Sequence, residues 1–300
     1  MRSLTLLLFF ALSFSLRAHM LSWPELNQLP LPPTAKHLAY GSDPQQFGEL
    51  RVPKGAGPFP VIVLIHGGCW QAEFSYGYIT RLATWFTDRR VATWTIEYRR
   101  LGNDGGGWPG TFLDVAHATD YVRELAKTQP LDLHRVFAAG HSAGGQLALW
   151  LASRGKLLLD SALYVKDPLA IRGVLGLAAI TDLAQYRIGP PASCHGAVDP
   201  LLGGGPDKVP ERYAQTSPME RLPLGVPQIF VQGERDPIVD PASVKAYAEA
   251  ATKAGDHAVI LLVPNAGHFE TSAPLPATEA LLLEAMKLLI QPGPSAASSR

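Results

Sequence analysis

Residues 135–145 read Arg-Val-Phe-Ala-Ala-Gly-His-Ser-Ala-Gly-Gly. A short apolar run ends at Gly140, and a helical pattern opens at Ala143. Between them, Gly140-His141-Ser142-Ala143-Gly144 is G-x-S-x-G in a strand–turn–helix setting. A turn this tight holds its central serine in a strained backbone conformation. Gly140 and Gly144 are required because a Cβ at either place would strike the neighbouring strand or helix. Ser142 is therefore expected at the carboxyl end of a sheet, at the N-terminus of the next helix. The plainer reading, a Gly/Ser turn that only joins two elements, fits this placement poorly.

Outward from this turn the chain alternates. Apolar runs predict strands at 60–66, 91–98, 134–140, 171–179, 227–232 and 258–263. Amphipathic patterns predict helices at 78–90, 110–127, 143–154, 241–254 and 276–290. Near-continuous apolar strands separated by helices predict an α/β fold: a mostly parallel central sheet with helices on both faces. His37–Gly41 and Phe47–Pro53 predict an antiparallel entry hairpin, and residues 21–36 read as Pro-rich and irregular. Residues 181–226 break the alternation with many Pro and Gly residues, which predicts a small cap or lid insertion. The folded unit is expected over 21–290, followed by a disordered tail at 291–300.

A serine hydroxyl is a poor nucleophile until a base takes its proton. His268 lies in the loop after the last strand, in Pro264-Asn-Ala-Gly-His268-Phe. Asp236 lies just past strand 227–232, in Gln232-Gly-Glu-Arg-Asp236-Pro-Ile-Val239. The order Ser, Asp, His suits a catalytic set in which His268 takes the Ser142 proton and Asp236 holds the imidazole. Asp240 and Glu234 are rival acids. His257 reads as a surface residue, His195 as a possible pocket wall, and His141 as packing beside the serine.

The run Val61-Ile-Val-Leu-Ile65 ends in His66-Gly-Gly-Cys-Trp70. Two consecutive glycines let the backbone turn its amides toward a neighbour. Acyl transfer passes through a tetrahedral oxyanion that needs two such donors. Ala143, the residue after the nucleophile, supplies one, and Gly68 and Cys69 are candidates for the other. His66 and Trp70 brace this loop or line the acyl side, and Trp108, Tyr186 and Tyr76 are further pocket candidates. Gly105-Gly-Gly107-Trp-Pro-Gly110 also matches G-x-G-x-x-G. Pro109 lacks an amide, Trp108 is bulky where a phosphate would approach, and no acid ends the following strand, so nucleotide binding is not expected. Pro109 is instead expected to start a helix with Asp114 as an exposed or capping acid.

Taken together, these motifs resemble the α/β-hydrolase family over roughly residues 37–290. His66–Trp70 looks like the HGGxW motif of arylformamidases (kynurenine formamidases) and related carboxylesterases. It also resembles the HGGG motif of hormone-sensitive-lipase-like esterases, with Cys69 in place of the third glycine. GHSAGG, GERDPIV and NAGHF match the family's serine, acid and histidine positions. The resemblance implies Ser142, Asp236 and His268 as catalytic residues, and hydrolysis without cofactor or metal. A serine esterase acting on a small-molecule ester is the expected function. An arylformamidase-type amide hydrolase is the alternative, and a catalytically silent binding scaffold is a remote one.

Other features narrow the class. The formal net charge is zero, with no basic stripe, so nucleic acid is not an expected partner. Arg2 and the run Leu4–Leu16 resemble a signal peptide over residues 1–18, which predicts a secreted or periplasmic protein, a cytoplasmic or membrane-tethered one being the alternative. That run is shorter than the roughly 20 residues needed to span a bilayer. No CxxC or HExxH motif points to a metal. The two cysteines, Cys69 and Cys194, are expected as unlinked thiols, with a disulfide between them the alternative if the protein is exported. Oligomeric state is not encoded in any motif.

Overall fold

The computed structural model describes residues 19–190 and 194–290; the signal-like segment 1–18 and the tail 291–300 lie outside them. The strands are β1 (Lys36–Ala39), β2 (Phe47–Arg51), β3 (Phe59–Ile65), β4 (Ala92–Ile96), β5 (Leu131–His141), β6 (Val174–Leu177), β7 (Gln228–Gly233) and β8 (Ala258–Val263). The helices are α1 (Trp23–Gln28), α2 (Thr80–Asp88), α3 (Gly110–Asp120), α4 (Val122–Ala126), α5 (Ala143–Ser153), α6 (Leu183–Tyr186), α7 (Val198–Leu202), α8 (Pro210–Thr216), α9 (Pro241–Lys253) and α10 (Glu279–Ile290).

The strands form one eight-stranded sheet in the order β1-β2-β4-β3-β5-β6-β7-β8. β1 and β2 enter as an antiparallel pair, and β2 runs antiparallel to β4. Every pairing from β4 to β8 is parallel. This is the α/β-hydrolase arrangement that the sequence pattern and the resemblance predicted.

The apolar runs follow from two-sided burial. Every residue of β3 is buried. Successive side chains of a strand point to opposite faces. Val61, Val63 and Ile65 pack with Phe112 of α3, Leu147 of α5 and Tyr247 of α9. Ile62 and Leu64 pack on the other face with Leu82 and Phe86 of α2 and Leu282 and Ala285 of α10. A strand covered on both faces needs apolar residues throughout, so β3 reads as a continuous run rather than an alternation.

Three local expectations change. Residues 21–36 contain α1, which the Pro-rich composition hid. Ser22 and Glu25 form a capping box, with Pro24 in the first turn, and the S-x-x-E signal was present in the sequence. The helix expected over 110–127 divides at Tyr121 into α3 and α4. Asp114 is neither exposed nor a cap: it is 1% exposed and accepts bonds from Arg99 Nε (2.8 Å) and Nη2 (2.7 Å). Its partner lies one element earlier, beyond the reach of local pattern.

Candidate active site

The ends of β3, β5, β7 and β8 each feed a loop on the same edge of the sheet. Ligands bind along that edge in open α/β sheets. His66–Trp70 follows β3, Ser142 follows β5, Asp236 follows β7 and His268 follows β8.

Ser142 has φ 57° and ψ −120° and precedes α5 directly. A non-glycine residue at positive φ is unusual and signals stored backbone strain. The surroundings enforce it. A Cβ on Gly140 would lie 2.1 Å from Gly144 O, and one on Gly144 would lie 2.3 Å from Ile65 O. The elbow is thus wedged between β3 and its own helix, and Ser142 N donates to Leu177 O at 2.9 Å.

His268 Nδ1 lies 2.8 Å from Asp236 Oδ2, and both residues are buried. Asp236 Oδ1 accepts from Ile238 N (2.8 Å) and Val239 N (2.9 Å), and Gln232 Nε2 donates to Oδ2 at 3.1 Å. Burial pushes the Asp236 carboxyl up. The hydrogen bond from His268, its proximity and the two backbone N–H groups outweigh burial and hold the carboxyl below its ordinary value. Asp236 is therefore an acceptor near neutral pH. Nδ1 carries the imidazole proton, and Nε2 is left as the basic nitrogen. The rival acids face elsewhere: Asp240 is exposed and caps α9 through Ala242 N (2.9 Å), while exposed Glu234 accepts from Asn265 N (3.0 Å).

The two glycines of His66–Trp70 do different work. A Cβ on Gly67 would lie 2.6 Å from His141 O and 3.0 Å from Ser142 Cβ, so Gly67 lets the loop touch the elbow. Gly68 has φ +101°, and a Cβ there would lie 2.2 Å from Phe74 Cβ. Cys69 and Trp70 also hold positive φ, at 54° and 55°. Ala143 is the first residue of α5, where an N–H has no partner within the helix.

Behind this loop lies a buried charged group that sequence reasoning missed. Glu97 Oε1 accepts from His66 Nε2 (2.8 Å) and lies 3.0 Å from Arg100 Nη1. Arg100 also donates to Phe74 O. Burial pushes the Glu97 carboxyl up, and His66 and Arg100 beside it more than reverse this, leaving it below its usual range. His66 and Phe74, at the two ends of the loop, are thus tied to the end of β4.

His141 connects three parts of the site. Gly67 N donates to Tyr78 Oη (2.8 Å), and the Tyr78 hydroxyl donates to His141 Nδ1 (2.8 Å). His141 Nε2 then donates to His268 O at 3.2 Å. Burial, reinforced by His268, pushes the His141 imidazole down to about 3, so it remains neutral.

Gly68, Cys69, Ser142 and His268 line one cavity of about 230 Å³. Its other walls are Trp23, Phe74, Tyr78, His141, Cys194, Ile238 and Phe269. A wider groove of about 610 Å³ adjoins it, sharing Cys69, Phe74, Cys194 and Ile238 and adding Gln71, Glu73, Tyr186 and His195. The Tyr186 and His195 rings pack with centroids 4.3 Å apart and planes tilted by 37°.

The aromatic pocket candidates are largely replaced. Trp70 is fully buried and donates from Nε1 to Gln146 Oε1 (3.1 Å). His66 is fully buried and stacks on Tyr98 at 4.6 Å. Both brace the loop rather than line the cavity. Trp108 packs on Phe112, with Arg212 over its ring, and Tyr76 binds His37. Trp23, Phe74, Tyr78 and Phe269 stand in their place. They come from three parts of the chain, Phe74 and Tyr78 sharing the connection after β3, and only Phe269 sits within a motif.

The expectation of two free thiols is overturned. Cys69 and Cys194 form a disulfide, with Cα atoms 4.9 Å apart. The bond joins the β3 loop to the segment between β6 and β7 across 125 residues. Among the described residues no cluster of three or more His, Cys, Asp or Glu could hold a metal, and no helix is long and apolar enough to cross a membrane.

Comparison with known proteins gives the same picture of the fold. The model of the BD-FAE family matches residues 50–250. Among curated proteins, the chain is 26% identical to "Probable carboxylesterase 4, mitochondrial" of Arabidopsis thaliana, over 49% of this chain and 46% of that protein. The chain thus spans about half the length of that relative. Among solved structures, a truncated carbohydrate esterase from gut microbiota superposes with TM-score 0.72 at 19% identity, covering 87% of this chain and 98% of that one. A thermophilic esterase from the Planctomycetes species Thermogutta terrifontis gives 0.69 at 21% identity, covering 92% of this chain and 100% of that one. That esterase has been solved with butyrate bound and phosphonylated by sarin. At these identities the structural likeness is one of fold.

Proposed function

Because the chain belongs to the BD-FAE family of α/β-hydrolase-type esterases, we propose that it is a serine carboxylesterase cleaving short-acyl esters. One observation carries this reading. Ser142, in a positive-φ elbow, shares a cavity with His268, and a buried carboxylate holds the far nitrogen of that imidazole.

The mechanism follows from the residues. His268 Nε2 takes the Ser142 proton as Oγ attacks the ester carbonyl. Asp236 holds the imidazole and stabilises the imidazolium. The N–H of Ala143, with those of Gly68 and Cys69, receives the charge that develops on the carbonyl oxygen. His268 returns the proton to the departing alkoxide, which leaves as the alcohol. His268 then deprotonates a water molecule that attacks the acyl-enzyme, and it passes that proton to Ser142 Oγ as the acid leaves, restoring the resting site. The cavity is smaller than the roughly 300 Å³ at which drug-sized pockets begin, which favours acetyl to butyryl groups over long chains.

The test is a panel of 4-nitrophenyl esters. Acetate and butyrate should be cleaved with far higher kcat/KM than dodecanoate, and a fluorophosphonate should label Ser142. A formyl-arylamide in the same panel tests the amide alternative. Steadily rising kcat/KM beyond eight carbons, or activation by micelles, would refute the short-acyl reading.

The Cys69–Cys194 bond supports a further part of the proposal, export, because disulfides persist in oxidising compartments. Mass spectrometry of the native protein should find a mature N-terminus near residues 16–21. An intact Met1 on a cytoplasmic protein would overturn export.

A further inference from the structure

We infer that Trp23, supplied by the N-terminal helix, is the end wall of the acyl subsite and sets the acyl length that the site accepts. The inference rests on the esterase reading above.

Trp23 is the most N-terminal residue lining the cavity that holds Ser142 and His268. Its ring lies 5.3 Å from Phe74, 5.2 Å from Tyr78 and 5.7 Å from Phe269, edge-on to the first two. Phe74 belongs to the loop after β3, Tyr78 to the start of the first crossover, and Phe269 follows His268. One indole therefore closes the space between the connection that follows β3 and the loop that follows β8.

The helix that carries it is held at both ends. Its start is organised by the capping box, with Ser22 N and Oγ donating to Glu25 Oε2 at 2.8 and 2.5 Å. Just before it, Leu21 N donates to Glu270 Oε1 at 2.6 Å. The same buried carboxylate accepts from Gly267 N at 3.0 Å, so it links the N-terminal segment to the residue beside His268. Beyond the helix, Arg81 donates to Leu29 O and to Pro30 O. Between these clamps Leu26 is fully buried in the core. Trp23 is thus a fixed wall and not a side chain draped over the entrance.

The chemistry distinguishes the two sides of the site. When the ester C–O bond breaks, the alcohol must depart while the acyl group stays on Ser142 Oγ. The wider groove past the disulfide offers an exit, so it suits the alcohol. The smaller aromatic-walled cavity suits the group that stays. An acyl chain growing away from Ser142 in that cavity meets Trp23.

The experiment compares two ester series on wild type, Trp23→Ala and Trp23→Phe. One series lengthens the acyl group of 4-nitrophenyl esters from acetate to octanoate. The other lengthens the alcohol of acetate esters from methyl to octyl. In Trp23→Ala the octanoate-to-acetate ratio of kcat/KM should rise roughly tenfold or more, and in Trp23→Phe by less. The octyl-to-methyl ratio of the alcohol series should stay as in wild type. If Trp23→Ala does not fold, Trp23→Phe retains an aromatic packing partner and the same ratios are read on it. An unchanged acyl ratio in a variant that still cleaves acetate overturns the role of Trp23 alone, as does a shift confined to the alcohol series. A wild-type protein that cleaves neither series overturns the esterase reading and, with it, this role.

Discussion

His268 donates from Nδ1 to Asp236 Oδ2 at 2.8 Å, on a carboxylate whose other oxygen is held by two backbone N–H groups. The carboxylate cannot swing away without leaving those donors unpaired. Asp236→Asn should therefore lower kcat by roughly ten-thousandfold with folding intact, because an amide favours the wrong tautomer. Ser142→Ala should lower it by about a millionfold. Asp240→Asn and Glu234→Gln should stay near wild type. Steady-state kinetics with 4-nitrophenyl acetate decide this, and a dead Asp240→Asn beside an active Asp236→Asn reverses the assignment.

Gly67 and Gly68 should be separable from the nucleophile itself. Gly67→Ala forces the loop away from His141 O and Ser142 Cβ, and Gly68→Ala forces a side chain into Phe74 at an unfavourable φ. Displacing one oxyanion donor typically lowers kcat by about a hundredfold to a thousandfold. Both variants should show that loss while circular dichroism reports native secondary structure. Wild-type kcat in either would place the oxyanion donors elsewhere.

The disulfide should matter for both stability and rate. Cross-linking over a separation of 125 residues stabilises by about 4 to 5 kcal/mol through the unfolded chain. Cys69 also sits in the loop proposed to present the oxyanion donors, so losing the tether should loosen that loop. Urea unfolding with and without a phosphine reductant should show a lower midpoint for the reduced protein, and kcat should fall severalfold. Cys194→Ser should reproduce both effects. Identical unfolding curves would mean that the bond holds nothing.

Stability should fall on the acid side. The imidazole of His141 moves from 6.5 down to about 3 on folding. Between those values the unfolded chain binds a proton that the folded chain refuses. Its contribution is therefore fully present above about pH 6.5 and is lost as pH falls toward 3. The lowered Asp236 carboxyl acts in the same direction. Unfolding free energies at pH 7, 5 and 4 should decline in that order, with a shallower slope in His141→Gln. A flat profile in wild type would contradict the buried neutral imidazole.

Much of this architecture is written locally. The apolar runs of β3 and β5 and the G-x-S-x-G turn depend on residues close together in the chain. Steric and burial rules act on them at short range, so pattern alone could read the sheet, the elbow and the loops at its carboxyl edge. What faces what across the site was decided only in three dimensions. Glu234, Asp236 and Asp240 lie within one loop and are chemically alike. Burial and the direction of two backbone amides, not sequence spacing, turn Asp236 toward His268. Cys69 and Cys194 stand 125 residues apart, and nothing local marks them as neighbours. Trp70 and Trp108 looked like pocket walls because they flank motifs, yet Trp70 is buried in the interior and Trp108 packs against Phe112 and Arg212. The cavity is closed instead by Trp23, from a helix docked through Glu270 and Arg81. A pocket wall is a property of the folded surface, set by long-range contacts that no window of sequence contains.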